Sequence, residues 1–468
     1  MASVFWFTRD LRLQDNPALN LAVATGEGKV AAVYVVNGPE YAGLEGIRQH
    51  SLTESLKALD ASLGGRLNVF SATDAAQTAE KLAIAATNLG AGKVLAMRLY
   101  DPAGKKLQNT VGHALAARGI HLILEGSAYA VAPGNVRKPD ETPYRVYTPF
   151  FKAWDQVNWG APVSLPTEAG GVKNEWRWIA EATGIPQPTK PAPFAVKAGE
   201  AFALRTWERF KQRALYQYDD LRNRADLSGT SHLSHALAFG EIHPRTILAE
   251  LASLGDSSAL TVYRKELAWR EFYADVLWHN PHTVTDYYEP RFAGMRYDTG
   301  ALADERLEAW KQGKTGYPMV DAGMRQLLAT GWMHNRVRMI VASFLVKDLH
   351  LEWQQGAAWF EANLSDFDVA SNVHGWQWTA GCGTDASPYY RIFNPILQGL
   401  KFDPNGEYVR KYVPELAHLD GADVHTPWEV IGGYSGGYAA RIVDHAVERN
   451  ESLARLEEIK IITKAMDG

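Results

Sequence analysis

Residues 30–36 read VAAVYVV, a continuous run of small and β-branched apolar residues of the kind that forms a strand buried on both faces of a sheet. Four further runs of similar length share this character: SVFWF (3–7), LNVFSA (67–72), KVLAM (93–97) and IHLILEG (120–126). The segments 49–63 and 75–89, which lie between these runs, have the apolar spacing of helices. Strands that alternate with helices predict an α/β domain over residues 1–130, built on a doubly wound, Rossmann-like parallel sheet.

The pattern changes after residue 130. Two proline-rich stretches, 131–151 and 184–194, have the composition of a linker and predict a long connector over residues 131–195. Beyond it the apolar periodicity is helical, most clearly in the long amphipathic segments 259–278 and 318–349. We therefore expect an all-helical domain over residues 196–468.

The bulk composition narrows the class of protein. Of the 468 residues, 46% are hydrophobic and 22% are charged, which is typical of a soluble globular protein. No apolar run approaches the roughly 18 residues of a membrane span, and the first residues carry charges where a signal peptide needs an apolar core. A single cysteine, Cys382, excludes an internal disulfide. We expect a cytoplasmic, monomeric protein with no membrane partner.

Several chemistries are disfavoured by what the sequence lacks. The first strand is followed by TRDLRLQDN (8–16) rather than by GxGxxG, which argues against a nicotinamide dehydrogenase. His279 and His282 have no matching partner set, so no metal site is expected. A net charge of -5 neither indicates nor excludes nucleic-acid binding, because a local basic face is sufficient.

One face of the segment 259–278 carries an unusual set of side chains. Helical spacing of i, i+3, i+4 and i+7 would place a carboxylate, an indole, a guanidinium and a phenol together, namely Glu266, Trp269, Arg270 and Tyr273. This face is either a partly buried ion pair with aromatic packing or the lining of a ligand site, since four polar-tipped groups leave many donors to satisfy.

The segment WMHNRVRMIVASFLVKDL (332–349) repeats this theme. Asn335, Arg338, Met339 and Ala342 share one predicted face, and Arg336 lies beside it. Arginines in an otherwise apolar helix need anions or carboxylates, and three acids are candidates: Asp348, Asp366 and Asp368. The alternative is a surface helix whose arginines are solvated.

Two shorter stretches are also candidates. GTSHLS (229–234) combines hydroxyls with a glycine, which suits either a phosphate site at a helix start or an ordinary N-cap. DFDVASNVHGWQW (366–378) places Trp376 and Trp378 two residues apart, so on a helix their indoles would point in nearly opposite directions.

Together these motifs resemble the photolyase/cryptochrome family of flavoproteins. The resemblance rests on FWFTRDLRLQDNPAL (5–19), GTSHLS, ELAWREFY (266–273), KTGYPMVDAGMRQLLATGWMHNRVRMIVASFLVKDL (314–349), DFDVASNVHGWQW and GTDASPYYRIFNP (383–395). It spans nearly the whole chain and is strongest from 218 to 412.

The resemblance implies an FAD held by the helical domain. It assigns the phosphate side to Tyr218, Thr230, Ser231, Leu233 and Ser234. It assigns the flavin side to Arg270, Asn335, Arg338, Asp366 and Asp368, with Arg338 and Asp366 as a buried ion pair. Asn372 matches the position that faces flavin N5, which favours the reduced form, FADH⁻, as the active state.

Within the family, the cavity lining favours repair of cyclobutane pyrimidine dimers by a class I-like photolyase. The residues of that lining are all present: Glu266, Trp269, Asn335, Met339 and Trp378. The (6-4) photolyases place histidine in the segment that here reads MHNRVR, and Asn335 does not supply it. A cryptochrome-type blue-light photoreceptor is the alternative, although it usually has a long tail that this sequence does not show.

The resemblance also implies roles in DNA binding and electron transfer. Trp269 and Trp378 would form flat walls for the damaged bases, and Glu266 would bond a pyrimidine carbonyl. Sequence-independent phosphate contacts are expected from Arg222, Arg336, Arg391 and Lys401. Trp376 and Trp353 match the first two members of an electron relay, whereas the third position is open, with Tyr297 one candidate.

Two further features are specific to this chain. The Asn-Glu pair of folate-binding members corresponds to Ala103–Gly104 here, so deazaflavin is favoured over folate as a second, antenna chromophore. His374 stands where the family often has a small residue, and either it packs or it tunes the flavin.

Overall fold

The computed structural model describes residues 2–166, 168–169, 172–385 and 390–467. The chain forms two compact units. The first unit comprises Met1–Tyr144, Thr148–Tyr216 and Ser231–His279, and the second comprises Arg145–Tyr147, Gln217–Thr230 and Asn280–Gly468. The three-part division at residues 130 and 195 stays a prediction.

A parallel sheet forms the centre of the first unit. Its main strands are β1 (Ser3–Phe7), β2 (Lys29–Asn37), β3 (Leu67–Ala72), β4 (Lys93–Met97) and β5 (His121–Glu125). They lie in the order β3-β2-β1-β4-β5, and β1 pairs with β2 and β4 in parallel. The order reverses at β1, so the predicted doubly wound sheet is confirmed.

Alternate residues of β1 serve two separate cores. Val4 and Trp6 pack in one apolar cluster, while Phe5 and Phe7 pack in the other. All of them are at most 2% exposed, because helices cover both faces of the sheet. This double burial explains why the strands are continuous apolar runs rather than alternating ones.

Three short strands complete the strand set: β6 (Glu168–Ala169), β7 (Val172–Lys173) and β8 (Glu175–Trp176). The pair Lys29 and Val30 of β2 aligns in parallel with β8. The buried Asn68 side chain fixes the chain just beyond β8, since its amide donates to the Arg177 carbonyl and accepts the Ile179 N–H. A two-residue strand carries no periodicity, so the composition of this region indicated only a linker.

The helices occupy most of the rest of the chain. In chain order they are α1 Pro17–Thr25, α2 Gly38–Gly43, α3 Gly46–Ser62, α4 Ala75–Leu89, α5 Pro102–Ala116, α6 Tyr147–Trp154, α7 Glu200–Arg213, α8 Tyr218–Leu221, α9 Ser234–Phe239 and α10 Pro244–Ser253. They continue with α11 Ser258–His279, α12 Ala301–Gln312, α13 Pro318–Thr330, α14 Asn335–Lys347, α15 Trp353–Asn363, α16 Val369–Ala380, α17 Pro395–Phe402, α18 Glu407–Tyr412 and α19 His445–Asp467. Short 3₁₀ turns lie at Leu215–Gln217, Pro281–Val284, Pro290–Gly294, Pro414–Leu416, Gly421–His425 and Pro427–Glu429.

Local signals set the helix ends. Asp74 caps α4 by accepting the Gln77 N–H, and Gly90 ends it in the left-handed conformation. The amphipathic segment 318–349 forms two helices, because Gly331 (φ +61°) ends α13 and His334 caps a separate α14. The break places Asn335 at the exposed start of a helix rather than within one.

The second unit is organised around α14. Val337, Val341 and Leu345 are fully buried along this helix and belong to a large apolar cluster that also contains Trp353 and Trp376. Burial of each such aliphatic side chain contributes about 1.5–3 kcal/mol. Among the described residues, no helix is both long and apolar enough to cross a membrane.

Candidate functional site

The predicted face of α11 exists in the first unit. Glu266, Trp269, Arg270 and Tyr273 are all half-buried, and the rings of Trp269 and Tyr273 lie 5.5 Å apart. The Arg270 guanidinium donates to the carbonyls of Ala128 (3.0 Å) and Leu237 (3.2 Å) and covers the Tyr129 ring at 4.5 Å. Two backbone carbonyls from other segments therefore hold the Arg270 guanidinium in place.

Two acids on the buried side of α11 were not predicted as functional. Glu271 accepts the N–H groups of Ala130 and Val131, and burial raises its pKa to about 7. Asp275 accepts the Gly134 N–H at 2.7 Å, and burial raises its pKa to about 6. Both acids tie residues 130–134 to α11, a role that apolar spacing does not reveal.

The GTSHLS segment leads into the short helix α9. Leu233 is buried at the N-cap position, and no side chain caps the helix. The Leu233 N–H points to Ser231 Oγ at 3.4 Å, and the Tyr263 hydroxyl also bonds Ser231. Thr230 belongs to the second unit and is half-buried. A helix start with hydroxyl groups beside it is chemically suited to a phosphate.

In the second unit, α14 and the segment after α15 form an ion pair. Arg338 Nη2 lies 2.7 Å from Asp366 Oδ2, and Arg338 Nε donates to the Met333 carbonyl at 2.8 Å. The other carboxylate oxygen, Asp366 Oδ1, is buried and has no hydrogen-bond partner within the described ranges. Of the three acids proposed for the helix arginines, Asp348 is used otherwise, because it pairs with His445 at 2.5 Å.

Helix α16 presents the remaining polar candidates. Asp368 is its N-cap and accepts the Ser371 N–H at 2.9 Å. Asn372 is half-buried, and its amide nitrogen donates to the Ala357 carbonyl at 3.0 Å, which leaves its oxygen as the acceptor for a ligand. His374 is buried, with Nε2 3.4 Å from Thr283 Oγ1, and desolvation together with nearby His282 lowers its pKa to about 3. Burial therefore keeps the His374 imidazole neutral near pH 7.

The two tryptophans of α16 face different environments, as their spacing predicted. Trp376 is 2% exposed and packs on Phe360 and Trp310 at ring distances of 5.0 and 6.1 Å, whereas Trp378 is half-buried. Gly356 of α15 lies directly against the Trp376 indole, since a Cβ there would sit 2.1 Å from Cη2. One turn away on α15, Trp353 is also buried.

Aromatic contacts continue outward from Trp353. Its ring lies edge-on to Tyr287 at 6.2 Å, and Tyr287 donates to Glu352 at 3.1 Å. Tyr297 bonds the Tyr287 hydroxyl in turn, and burial raises the pKa of both phenols. Sequence reasoning named Tyr297 but missed Tyr287 and Trp310, because an isolated aromatic residue has no signature in a single sequence.

Basic residues of the second unit are held by neutral partners. Arg336 donates twice to Asn223 Oδ1 (3.1 and 2.8 Å) and stacks over the Phe402 ring at 4.8 Å, while Arg222 covers the Tyr218 ring at 5.9 Å. Asn335, Arg391 and Lys401 are exposed, and Met339 is half-buried. Residues 386–389 of the GTDASPYYRIFNP motif lie outside the described residues. Within the part of the chain that the structure describes, no group of three His, Cys, Asp or Glu side chains could hold a metal ion.

Comparison with known proteins identifies the family. Residues 3–168 match the family described as DNA photolyase, and residues 263–458 match the FAD binding domain of DNA photolyase. A deoxyribodipyrimidine photo-lyase of Agrobacterium fabrum is 38% identical, with 98% of each chain covered. The chain belongs to the photolyase/cryptochrome family.

Solved structures of the photolyase/cryptochrome family agree with the fold. A bacterial class III photolyase from Agrobacterium tumefaciens has a TM-score of 0.88 at 37% identity over 98% of both chains. A cryptochrome from Synechocystis has a TM-score of 0.85 at 26% identity and covers 97% of this chain and 98% of its own. The predicted α/β plus all-α fold and the assignment as a photolyase-type enzyme are confirmed, whereas the class I-like subtype stays a prediction.

The residues present fit the FAD that this photolyase domain binds. A buried acceptor, Asp366 Oδ1, is available to a ligand donor, and the oriented Asn372 amide offers a second acceptor.

Proposed function

We propose that the protein repairs cyclobutane pyrimidine dimers in UV-damaged DNA in a light-dependent reaction, as a monomer and without regard to base sequence. The observation that carries the proposal is the α11 face, where the half-buried Glu266 and Trp269 accompany a guanidinium fixed by two carbonyls. This face offers a flat apolar surface and a carboxyl group together, which is what two joined pyrimidines of one strand, flipped out of the duplex, require.

FAD would be held through its phosphates and through its ring. The phosphate contacts proposed in the first unit are Ser231, Leu233 and Ser234, and those in the second unit are Tyr218 and Thr230. The ring contacts proposed are Arg270 in the first unit and Asn335, Arg338, Asp366, Asp368 and Asn372 in the second. When bound and reduced to FADH⁻, the cofactor supplies the photoexcited electron that splits the dimer.

The dimer would be bound outside the duplex, photolyases being among the enzymes that flip a nucleotide out of the stack. Trp269 in the first unit is proposed as an apolar surface for the dimer, and so is Trp378 in the second unit, since both are half-buried rather than packed into a core. A protonated Glu266 would donate a hydrogen bond to a pyrimidine carbonyl and stabilise negative charge there, a role that is effective only in a desolvated site. Met339 and Asn335 would complete the lining.

Contacts to the phosphate backbone of the DNA would supply most of the affinity. We propose Arg222, Arg336 and Arg391 as phosphate clamps, with Lys401 beside them. Arg336 is pre-oriented for this role, because Asn223 and the Phe402 ring fix its guanidinium plane. Contacts to phosphates carry no base information, which accounts for binding that does not depend on base sequence.

Electrons for reduction would reach the site through Trp376 and Trp353. The Trp353–Tyr287 edge contact and the Tyr287–Tyr297 hydrogen bond support Tyr297 as the outer member of this relay. Trp310, which packs on Trp376, supports a second exit. Photoreduction of single variants Tyr287→Phe and Trp310→Phe distinguishes the two, because only the variant on the main path should slow the reaction.

A second chromophore, deazaflavin rather than folate, is proposed for the first unit. The folate-associated Asn-Glu pair is replaced by Ala103–Gly104 in the first turn of α5, where a Cβ on Gly104 would meet Leu99 Cβ at 2.6 Å. This position excludes a larger side chain. An absorbance spectrum of the protein purified from its native host tests the proposal, and a folate spectrum would contradict it.

The deciding experiment separates repair from signalling, since the resemblance to a cryptochrome keeps a blue-light photoreceptor as the alternative. Reduced protein is mixed with a UV-irradiated oligonucleotide, and thymine dimers are counted with and without blue light. Light-dependent loss of dimers, reduced strongly in Glu266→Gln, supports the enzyme. Absence of repair by fully reduced, DNA-bound protein would refute it.

A further inference from the structure

Lys347, the last residue of α14, is almost completely buried. Its side chain is about as inaccessible as a core leucine, at 1% exposure, although burial of an ammonium is costly unless it is paired. Its Nζ donates to the carbonyl of Arg391 and lies 4.1 Å from the centre of the Tyr390 ring. Desolvation lowers its pKa to about 7, against the opposing influence of Cys382 and Asp348.

A second contact of α14 holds the same segment. Ser343 Oγ accepts the Phe393 N–H at 3.3 Å. Ser343 and Lys347 are four residues apart and therefore lie on one face of the helix. Two residues of the segment, 391 and 393, are thus held by two successive turns of α14.

The far end of the segment is fixed as well. Asn394 caps α17 by accepting the N–H groups of Ile396 and Leu397, both at 3.0 Å. Residues 391–394 are consequently anchored at three successive points, all within the second unit. Because the backbone of residues 391–394 is held in this way, only the side-chain torsions of these residues can vary.

The side chain and the carbonyl group of Arg391 differ in exposure. Its carbonyl is bound by a buried lysine, yet its side chain is exposed. No described carboxylate lies within ion-pair distance of this guanidinium. The cation is therefore available to an external anion from a fixed point of the backbone.

We propose that Lys347 is a positioning residue for DNA binding, which holds the Arg391 carbonyl and so sets the direction from which the Arg391 guanidinium meets a DNA phosphate. This inference rests on the proposed function, which assigns Arg391 to the DNA backbone. Lys347 itself touches neither DNA nor cofactor in this role.

The salt dependence of DNA binding tests the proposal. Lys347→Met keeps the length of the side chain but removes its donors, and its Kd for a dimer-containing oligonucleotide is measured from 50 to 200 mM salt. Loss of one phosphate contact lowers the salt slope by about 0.7–0.9, so the ratio of variant to wild-type Kd should fall about threefold over this range. Arg391→Gln should give the same change, and the double variant should lose nothing further.

Controls separate positioning from general damage to the fold. Flavin absorbance and the repair rate at saturating DNA should stay at wild-type values in Lys347→Met. Lys460→Met removes an exposed lysine that pairs with Glu457 and should leave the slope unchanged. Ser343→Ala removes only the Phe393 anchor and should shift the slope in the same direction by a smaller amount.

The outcomes are distinguishable. If wild-type protein shows no preference for dimer-containing DNA, the proposed function fails and this inference fails with it. If wild-type protein binds but Lys347→Met keeps the wild-type slope, or if its effect adds to that of Arg391→Gln, only the role of Lys347 is overturned. If Lys347→Met does not fold, Ser343→Ala decides in its place: an unchanged slope, or an effect that adds to that of Arg391→Gln, overturns the proposal, and a non-additive effect supports it.

Discussion

Replacement of Gly356 by alanine should disturb the Trp376 indole specifically. The added Cβ would lie 2.1 Å from Trp376 Cη2 and 2.6 Å from Leu345 Cδ2. Carbon atoms in contact prefer about 3.5–4.0 Å, so the indole has to retreat by roughly 1.4 Å or more. It has little space to do so, because Phe360 and Trp310 pack on it.

The expected change in stability is the difference of two effects. Overpacking of a core costs about 1–3 kcal/mol, while removal of a helical glycine returns about 1 kcal/mol. Gly356→Ala should therefore lower the free energy of unfolding by about 0–2 kcal/mol. Gly112→Ala is the matched control, since its Cβ would meet Leu122 at an ordinary 3.6 Å and should only stabilise, by about 1 kcal/mol.

Urea unfolding of holoprotein, together with the rate of flavin photoreduction, measures both consequences. In a Trp376→Phe background the indole atoms nearest to Gly356 are absent, so the cost of Gly356→Ala should fall by about 1–2 kcal/mol, to the part due to Leu345. Photoreduction should slow in Gly356→Ala and stay normal in Gly112→Ala. Equal stabilities of the two alanine variants, with wild-type photoreduction in both, would refute the packing of Trp376 described above.

Three further predictions concern single residues. Trp376→Phe should abolish flavin photoreduction but spare repair by pre-reduced enzyme, and normal photoreduction would remove Trp376 from the relay. Asp366→Ala should lower the FAD content, measured by flavin absorbance, and should lower the free energy of unfolding, measured with urea, by about 2–3 kcal/mol. This is less than the 3–5 kcal/mol of a fully buried pair, because Arg338 is about a quarter exposed. Wild-type FAD content would contradict the assignment. Burial raises the pKa of Asp275 to about 6, so the folded protein keeps a proton that the unfolded chain loses near pH 4. This residue should therefore lower the free energy of unfolding by up to about 3 kcal/mol as the pH rises from 4 to 6, with no further change above that. Asp275→Asn should remove that dependence, and a wild-type-minus-variant difference that is flat from pH 4.5 to 8 would disprove it.

The sequence predicted most where burial is continuous. All five main strands follow from apolar runs: β1 to β4 are largely buried, whereas β5 at the edge of the sheet is only half-buried. The bounds of α4 follow from its cap residues. Apolar periodicity was less informative where a single residue decides where a helix ends. At Gly331, a left-handed backbone divides one periodic segment into two helices.

The site was predictable to a different degree. Spacing alone indicated the shared face of α11 and the opposed indoles of Trp376 and Trp378, since both lie within one helix. It did not choose between Asp348 and Asp366 as the partner of a helix arginine, because that choice depends on His445, almost a hundred residues further along the chain. Periodicity likewise gave no sign that the acids Glu271 and Asp275 would be buried.

Helix α14 also fixes the distance between two of the proposed DNA contacts. Arg336 lies near its start and Lys347 at its end, so eleven helical steps separate one proposed phosphate clamp from the anchor of the other by about 16 Å. Deletion of one residue between them would shorten that span by only about 1.5 Å but rotate Lys347 by about 100° away from Arg391. The helix should therefore accept many substitutions of similar volume but no insertion or deletion. The number of residues between Arg336 and Lys347 sets the distance between the two proposed contacts to the DNA backbone.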